Sequence, residues 1–315
     1  MSELEPGIAA HLRQEQLRSR HRNSGLWDDT LLDRYATRGD FVAFMDETHR
    51  ATPTGDVAYY GLSAVVFHAD DLPEIRRDLE EIAGGNFWHS KEAFKDQRLR
   101  DRIGQMNEYI AERAALPAIV FDVRDHDISD VEERGARDVC LGRALRTLDE
   151  EGIRDVVLDQ FAHIERHNVG LDQAILSGLR AAGTVDPAMW MHHARMSEEH
   201  ALWSADTVAW SVQRHYFGQQ DRDSQHVAPL RGHLREVEAQ TGALRQFDDL
   251  PKTTAARPGG RRERTAPIYR LAKQVEILRD RKNPPGPESG PTRGDGTDTP
   301  KNPPVRGPEG PLRSL

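Results

Sequence analysis

Three aspartates occupy positions that the surrounding pattern reserves for apolar side chains. Asp46 shares a pleat face with Val42 and Phe44 in the run DFVAFMDETH at 40–49, and Asp159 shares one with Val157 and Phe161 in RDVVLDQF at 154–161. Asp206 falls inside the helical stripe formed by Leu202, Ala205, Val208, Ala209 and Val212. A carboxylate desolvated alone costs several kcal/mol or takes up a proton. Three of them in core-like runs call for a common partner, and a hard divalent cation is the simplest. Oxygen ligands on rigid elements suit Mg²⁺ or Mn²⁺, which activate water and stabilise a leaving oxygen in phosphodiester hydrolysis. The competing reading gives each aspartate a separate role as a backbone cap or an arginine partner.

Other chemistries find less in the chain. His192, His193 and His200 lie close in sequence but do not form the His-Glu-x-x-His pair of a zinc site, and His163 and His167 are an isolated pair four apart. Gly61-Leu62-Ser63-Ala64-Val65 lacks the second glycine of a nucleophile elbow, and there is neither a P-loop lysine motif nor a Gly-x-Gly-x-x-Gly. The single cysteine, Cys140, excludes an internal disulfide and a Cys-based zinc site. Trp203 and Trp210, seven apart on one helix face, read as core packing rather than a stacking platform.

The elements that would carry the aspartates follow from hydrophobic periodicity. Dense apolar runs at 40–49 and 56–67, joined by the turn-rich Thr52-Pro53-Thr54-Gly55, predict an antiparallel hairpin covered on both faces. Leu72, Ile75, Leu79 and Ile82 predict a helix ending at Gly84-Gly85. A second helix is expected from Ser90, whose hydroxyl would cap it, through Ile110. Strands at 118–123, 154–161 and 188–194 then alternate with helices at 137–148, 171–181 and 202–216. This order predicts an α/β fold with a mixed sheet flanked by helices.

Four regions are expected: a helical lead at 1–36, the α/β domain at 37–220, a C-terminal helical extension at 221–282 and a disordered Pro/Gly-rich tail at 283–315. The extension would comprise helices at 226–247 and 266–278, and the tail has too little apolar surface to fold.

Charge qualifies the nuclease chemistry. The net charge of −9 hides 14 Lys and Arg against 7 Asp and Glu in residues 251–315, which leaves 29 against 45 in the first 250. So acidic a body does not draw in a polyphosphate by its own field, and a nucleic-acid partner would rely on metal ions or on Arg257, Arg261, Arg262, Arg264, Arg270 and Lys273. No apolar run approaches the roughly 18–20 residues that span a bilayer, and no signal segment is recognisable, so a soluble cytoplasmic protein is expected.

Several short motifs, in order over residues 38–217, carry a resemblance. Phe44-Met45-Asp46-Glu47-Thr48 resembles the "DES" opening strand of the bacterial and phage family called domain of unknown function 3800, with Thr48 in place of the usual serine. Ala58 to Val66 is similar to its apolar second strand, and Trp88-His89-Ser90-Lys91-Glu92 to its histidine/glutamate segment before a helix. Val156-Val157-Leu158-Asp159 resembles its central strand, and Ser204-Ala205-Asp206-Thr207-Val208-Ala209-Trp210 its late "AD" helix. Where many members carry a glutamine ahead of that pair, this chain has Trp203 and Ser204. The resemblance implies a ribonuclease H-like fold and a metal-dependent nuclease, with Asp46, Glu92, Asp159 and Asp206 as ligands of Mg²⁺ or Mn²⁺ and Glu47 and His89 beside them. The residues alone also admit a binding or regulatory module that keeps the fold without catalysis.

Overall fold

Alternating apolar side chains on both pleat faces bury β1 (Phe41–Arg50) inside a mixed sheet with helices on either side. In the computed structural model, residues 6–38, 40–50, 58–125, 130–160, 165–217 and 225–245 are described, and they fall in a unit spanning Met1–Arg264. The other strands are β2 (Ala58–His68), β3 (Ala118–Asp125), β4 (Asp155–Asp159), β5 (Trp190–Ala194), β6 (Leu234–Glu238) and β7 (Leu244–Arg245). The helices are α1 (Pro6–Asn23), α2 (Asp29–Arg38), α3 (Leu72–Ala83), α4 (Ser90–Lys95), α5 (Arg100–Arg113), α6 (Asp130–Glu150), α7 (Glu165–Ala181) and α8 (Leu202–Phe217).

The seven strands run in the order β5-β4-β1-β2-β3-β6-β7. β2 is antiparallel to β1 and to β3, as a hairpin followed by a return strand requires. Helix-linked strands instead pair in parallel: β4 with β1, β5 with β4, and β6 with β3. One sheet face, with Val42, Phe44, Val65, Phe67, Val120 and Val157, packs against α2, α3, α5 and α8. The other, with Ala43, Met45, Leu62, Ala64, Phe121 and Leu158, packs against α6 and α7. At the end of α3, Gly84 takes the left-handed conformation at φ 74° and donates its N–H to the carbonyls of Glu80 and Glu81, closing the helix.

Two expectations need correction. The helix expected from Ser90 through Ile110 is two, α4 and α5, broken where Asp96 is extended (φ −86°, ψ 115°) and its carboxylate accepts the Arg98 N–H at 2.9 Å. Residues 226–247, expected as a helix, instead contain a short 3-10 turn (Ala228–Leu230) and the strands β6 and β7. Pro229 and Gly232, which is at φ 82°, stop a helix early, and β3 offers β6 a parallel partner. The described part of the expected 221–282 extension therefore widens the sheet. The Thr52–Gly55 link, the helix at 266–278, the Pro/Gly-rich tail and the arginines from 257 onward lie outside the described residues. Among the described residues no helix is long and apolar enough to cross a membrane.

Candidate metal centre

Register brings the first two aspartates together. Parallel pairing runs from Val42 opposite Asp155 to Met45 opposite Leu158, so one further residue sets Asp46 level with Asp159 on the next strand. Neighbouring strands lie about 5 Å apart, and in-register residues share a face. Here it is the face of Phe44 and Val157, which α8 covers.

A serine fixes the height of α8 above that face. Ser63 pairs with Asp46 across β1 and β2, and its Oγ reaches the Ala205 carbonyl of α8 at 2.8 Å and the Asp46 carbonyl at 3.2 Å. A larger side chain at this buried point would lift the helix away. With Ala205 pinned beside Asp46, the next residue of α8, Asp206, enters the same neighbourhood. Asp46 and Asp206 are each only 4% exposed.

The carboxyls also act on one another. Burial, then Asp206 and Asp159, push the Asp46 carboxyl well above the usual carboxylate range. Burial and then Asp206 raise Asp159 to about 7. Among the described residues no lysine or arginine bridges Asp46 or Asp159. The Asp46 Oδ1 merely accepts the following N–H, that of Glu47, at 2.8 Å.

The loop before α4 supplies the remaining contacts. His89 Nδ1 stands 3.3 Å from Asp206 Oδ1, within ion-pair reach. That contact raises the His89 pKa against the opposing effect of burial. Ser90 binds the other oxygen of Asp206: its N–H donates to Oδ2 at 2.7 Å and its hydroxyl at 2.6 Å. The expected capping role of Ser90 is thus not the one it plays. It is the first residue of α4, His89 is the cap, and the hydroxyl serves Asp206.

No family model matches the chain, and no curated protein does.

Two of the other candidates stand apart. Glu92 is on the solvent side of α4, where its Oε1 accepts from Lys95 Nζ at 2.8 Å, and Lys95 holds its pKa below the usual range. It is not brought to the aspartates, because an acid in the first turn of a helix with a lysine three residues on has a sufficient partner at the surface. Glu47, one residue beyond Asp46, faces the opposite side of the sheet. There it accepts from Arg137 Nε at 2.8 Å and from the Tyr60 hydroxyl, while Arg137 also binds Asp172 and Asp172 accepts from His193 at 2.8 Å. The three histidines near residue 200 are separated in the same way: His192 meets Asp28, His193 meets Asp172 and His200 meets Glu80.

As they stand, the carboxylates are electrostatic neighbours rather than a closed cage. Among the described residues no three His, Cys, Asp or Glu side chains converge as a metal-ligand group. The donor set itself fits a hard divalent cation. It offers only oxygens, from two strands and a helix, and Asp46 is buried without a compensating lysine or arginine among the described residues. Reading the sequence for apolar stripes missed Ser90, Trp88 and Thr207 around Asp206, and Arg137 and Asp172 around Glu47. The nearest signal was the Trp88-His89-Ser90 triplet itself.

Proposed function

We propose that this chain is a divalent-metal-dependent nuclease with a ribonuclease H-like fold. The observation that carries the reading is the strand register and helix seating that bring buried Asp46 and Asp206 and half-buried Asp159 into one neighbourhood, with the Asp46 and Asp159 carboxyls pushed toward protonation and no lysine or arginine between them among the described residues. Such an arrangement is costly unless a cation joins it. The fold reading is supported by a mixed sheet in which an acidic first strand lies beside a later, parallel acidic strand.

Asp46, Asp159 and Asp206 hold Mg²⁺ or Mn²⁺. When bound, such an ion supplies a more acidic water and neutralises charge on a phosphodiester. His89, with a side chain 44% exposed and Nδ1 facing Asp206, is positioned to exchange a proton between the site and solvent. The substrate is nucleic acid, and the basic segment at 257–264 supplies phosphate contacts that the acidic body lacks. A second reading, a binding module with a structural or single-ion role for the carboxylates, is favoured by the acidity of the first 250 residues, with 29 Lys and Arg against 45 Asp and Glu.

The two readings part on one experiment. Full-length protein, Asp46→Asn and Asp159→Asn are melted with and without Mn²⁺ and incubated with labelled single- and double-stranded DNA and RNA. A nuclease gives metal-dependent stabilisation and hydrolysis in the wild type, both lost in the variants, which melt no lower than wild type without metal because a repelling charge is gone. Stabilisation without hydrolysis supports the binding module. No response to Mn²⁺, with both variants melting lower, assigns the aspartates to the scaffold.

A further inference from the structure

Asp206 is held by more than its own helix. Three side chains around it are almost fully buried, Trp88 at 2% exposed and Ser90 and Thr207 at 0%, and Asp206 itself is 4% exposed. Trp88 Nε1 lies 3.1 Å from Ser90 Oγ and 2.9 Å from Thr207 Oγ1. Ser90 Oγ lies 2.6 Å from Asp206 Oδ2 and 3.2 Å from Thr207 Oγ1, and Thr207 Oγ1 lies 2.7 Å from the Trp203 carbonyl.

Proton accounting gives this cluster a direction. An indole N–H only donates, so Trp88 gives its proton to the two hydroxyl oxygens. Thr207 has one hydroxyl proton, and the Trp203 carbonyl, which can only accept, takes it at the shortest of the Thr207 contacts. Ser90 likewise has one, and both oxygens that Trp88 addresses are already supplied. The Ser90 proton therefore goes to Asp206 Oδ2, the shortest contact in the group. Together with the Ser90 backbone N–H, it places two donors on a single carboxylate oxygen. Oδ2 is fully engaged, and Oδ1 is the oxygen left on the His89 side.

We propose that Ser90, aimed by Trp88 and Thr207, is the positioning residue for Asp206: it locks Oδ2 and thereby presents Oδ1 as the single oxygen this aspartate offers a cation. The proposal rests on the metal-dependent reading above. It adds that Asp206 binds through one oxygen and that Ser90 sets its direction. Carboxylates that ligate metals are usually held by hydrogen bonds of this kind, and their loss weakens metal binding about 10- to 100-fold. A serine that only completed the packing would affect melting equally with and without metal.

The test measures Mn²⁺ affinity from free Mn²⁺ by electron paramagnetic resonance, and melting with and without Mn²⁺, on full-length wild type, Ser90→Ala, Ser90→Thr and Trp88→Phe. Expected are about 10-fold weaker binding in Ser90→Ala, recovery of most of it in Ser90→Thr, and an intermediate loss in Trp88→Phe, which keeps the packing but removes the aiming donor. If Ser90→Ala does not fold, Trp88→Phe decides alone. Wild-type affinity in both Ser90→Ala and Trp88→Phe overturns the positioning role and leaves the metal site standing. A wild-type protein that binds no Mn²⁺ overturns the metal reading and this inference with it.

Discussion

Asp46 and Glu47 are adjacent in one strand and face opposite sides of one sheet, yet their surroundings differ in kind. Glu47 enters a closed network: Arg137 spans it and Asp172, Tyr60 donates to it, and His193 completes Asp172. Asp46 meets two more aspartates and a backbone N–H. Where charge is buried with its opposite, it specifies how α6 and α7 seat on the sheet. Where like charge is buried together, the fold carries a repulsive cost, which the proposed cation would relieve.

The comparison breaks most visibly at Arg137. Removing one partner of a buried network leaves the others uncompensated, a loss of about 3–5 kcal/mol. Arg137→Met, which keeps the aliphatic stem, should lower the unfolding free energy by that order in urea titrations. Asp46→Asn in the same metal-free buffer should lower it little or raise it. Equal losses in the two variants would mean that both faces are scaffold.

A second break is by pH, because the two faces titrate in opposite senses. Asp159 is raised to about 7 in the folded protein and Asp46 is raised as well. Between about pH 4, where an unfolded aspartate ionises, and pH 7, the folded protein keeps protons that the unfolded chain releases. Stability therefore falls as pH rises through that window, by at most about 1.4 kcal/mol per pH unit for each proton retained. Asp172 behaves conversely. Burial would raise it, but His193 and Arg137 hold it below the usual range, so its contribution is present above about pH 4 and is lost as pH falls further. Metal-free protein should be most stable near pH 4–5, and Asp159→Asn should flatten the decline toward pH 7. A wild-type profile that rises from pH 4 to 7 would contradict the open face.

The sequence shows one of these faces far better than the other. Asp46, Asp159 and Asp206 are legible because each interrupts an apolar period, and a periodic reading finds interruptions. Glu47 is half-buried, but its partner Arg137 and the Asp172 that Arg137 also binds lie 90 and 125 positions away, on helices whose own stripes do not mark them. Ser90 is opaque for a related reason: serine before an acidic first turn signals a cap, and nothing local reveals a carboxylate 116 residues on. At the fold level, the strand runs through β5 and the closing helix α8 follow from composition. β6 does not, because Val227, Leu230, Leu234 and Val237 keep helical spacing and the strand depends on a distant partner, β3.

The smallest effect is expected at Glu92, and it sharpens where the site ends. The resemblance to other chains names this residue as a fourth ligand, whereas its side chain is about half exposed and paired with Lys95 three residues on. Exposed pairs of this kind contribute little to stability, and ordinary surface substitutions change it only slightly. Glu92→Gln should therefore leave melting within a degree or two of wild type, and it should leave Mn²⁺ affinity unchanged, in contrast to Asp159→Asn. Lys95→Ala serves as the control, since it frees Glu92 without removing its charge. If Glu92→Gln weakens Mn²⁺ binding as strongly as the aspartate variants while Lys95→Ala strengthens it, the carboxylate must leave Lys95 and turn toward Asp206 when the ion arrives. The first turn of α4 would then belong to the site through both Ser90 and Glu92, and the boundary between compensated and uncompensated charge would shift with metal loading.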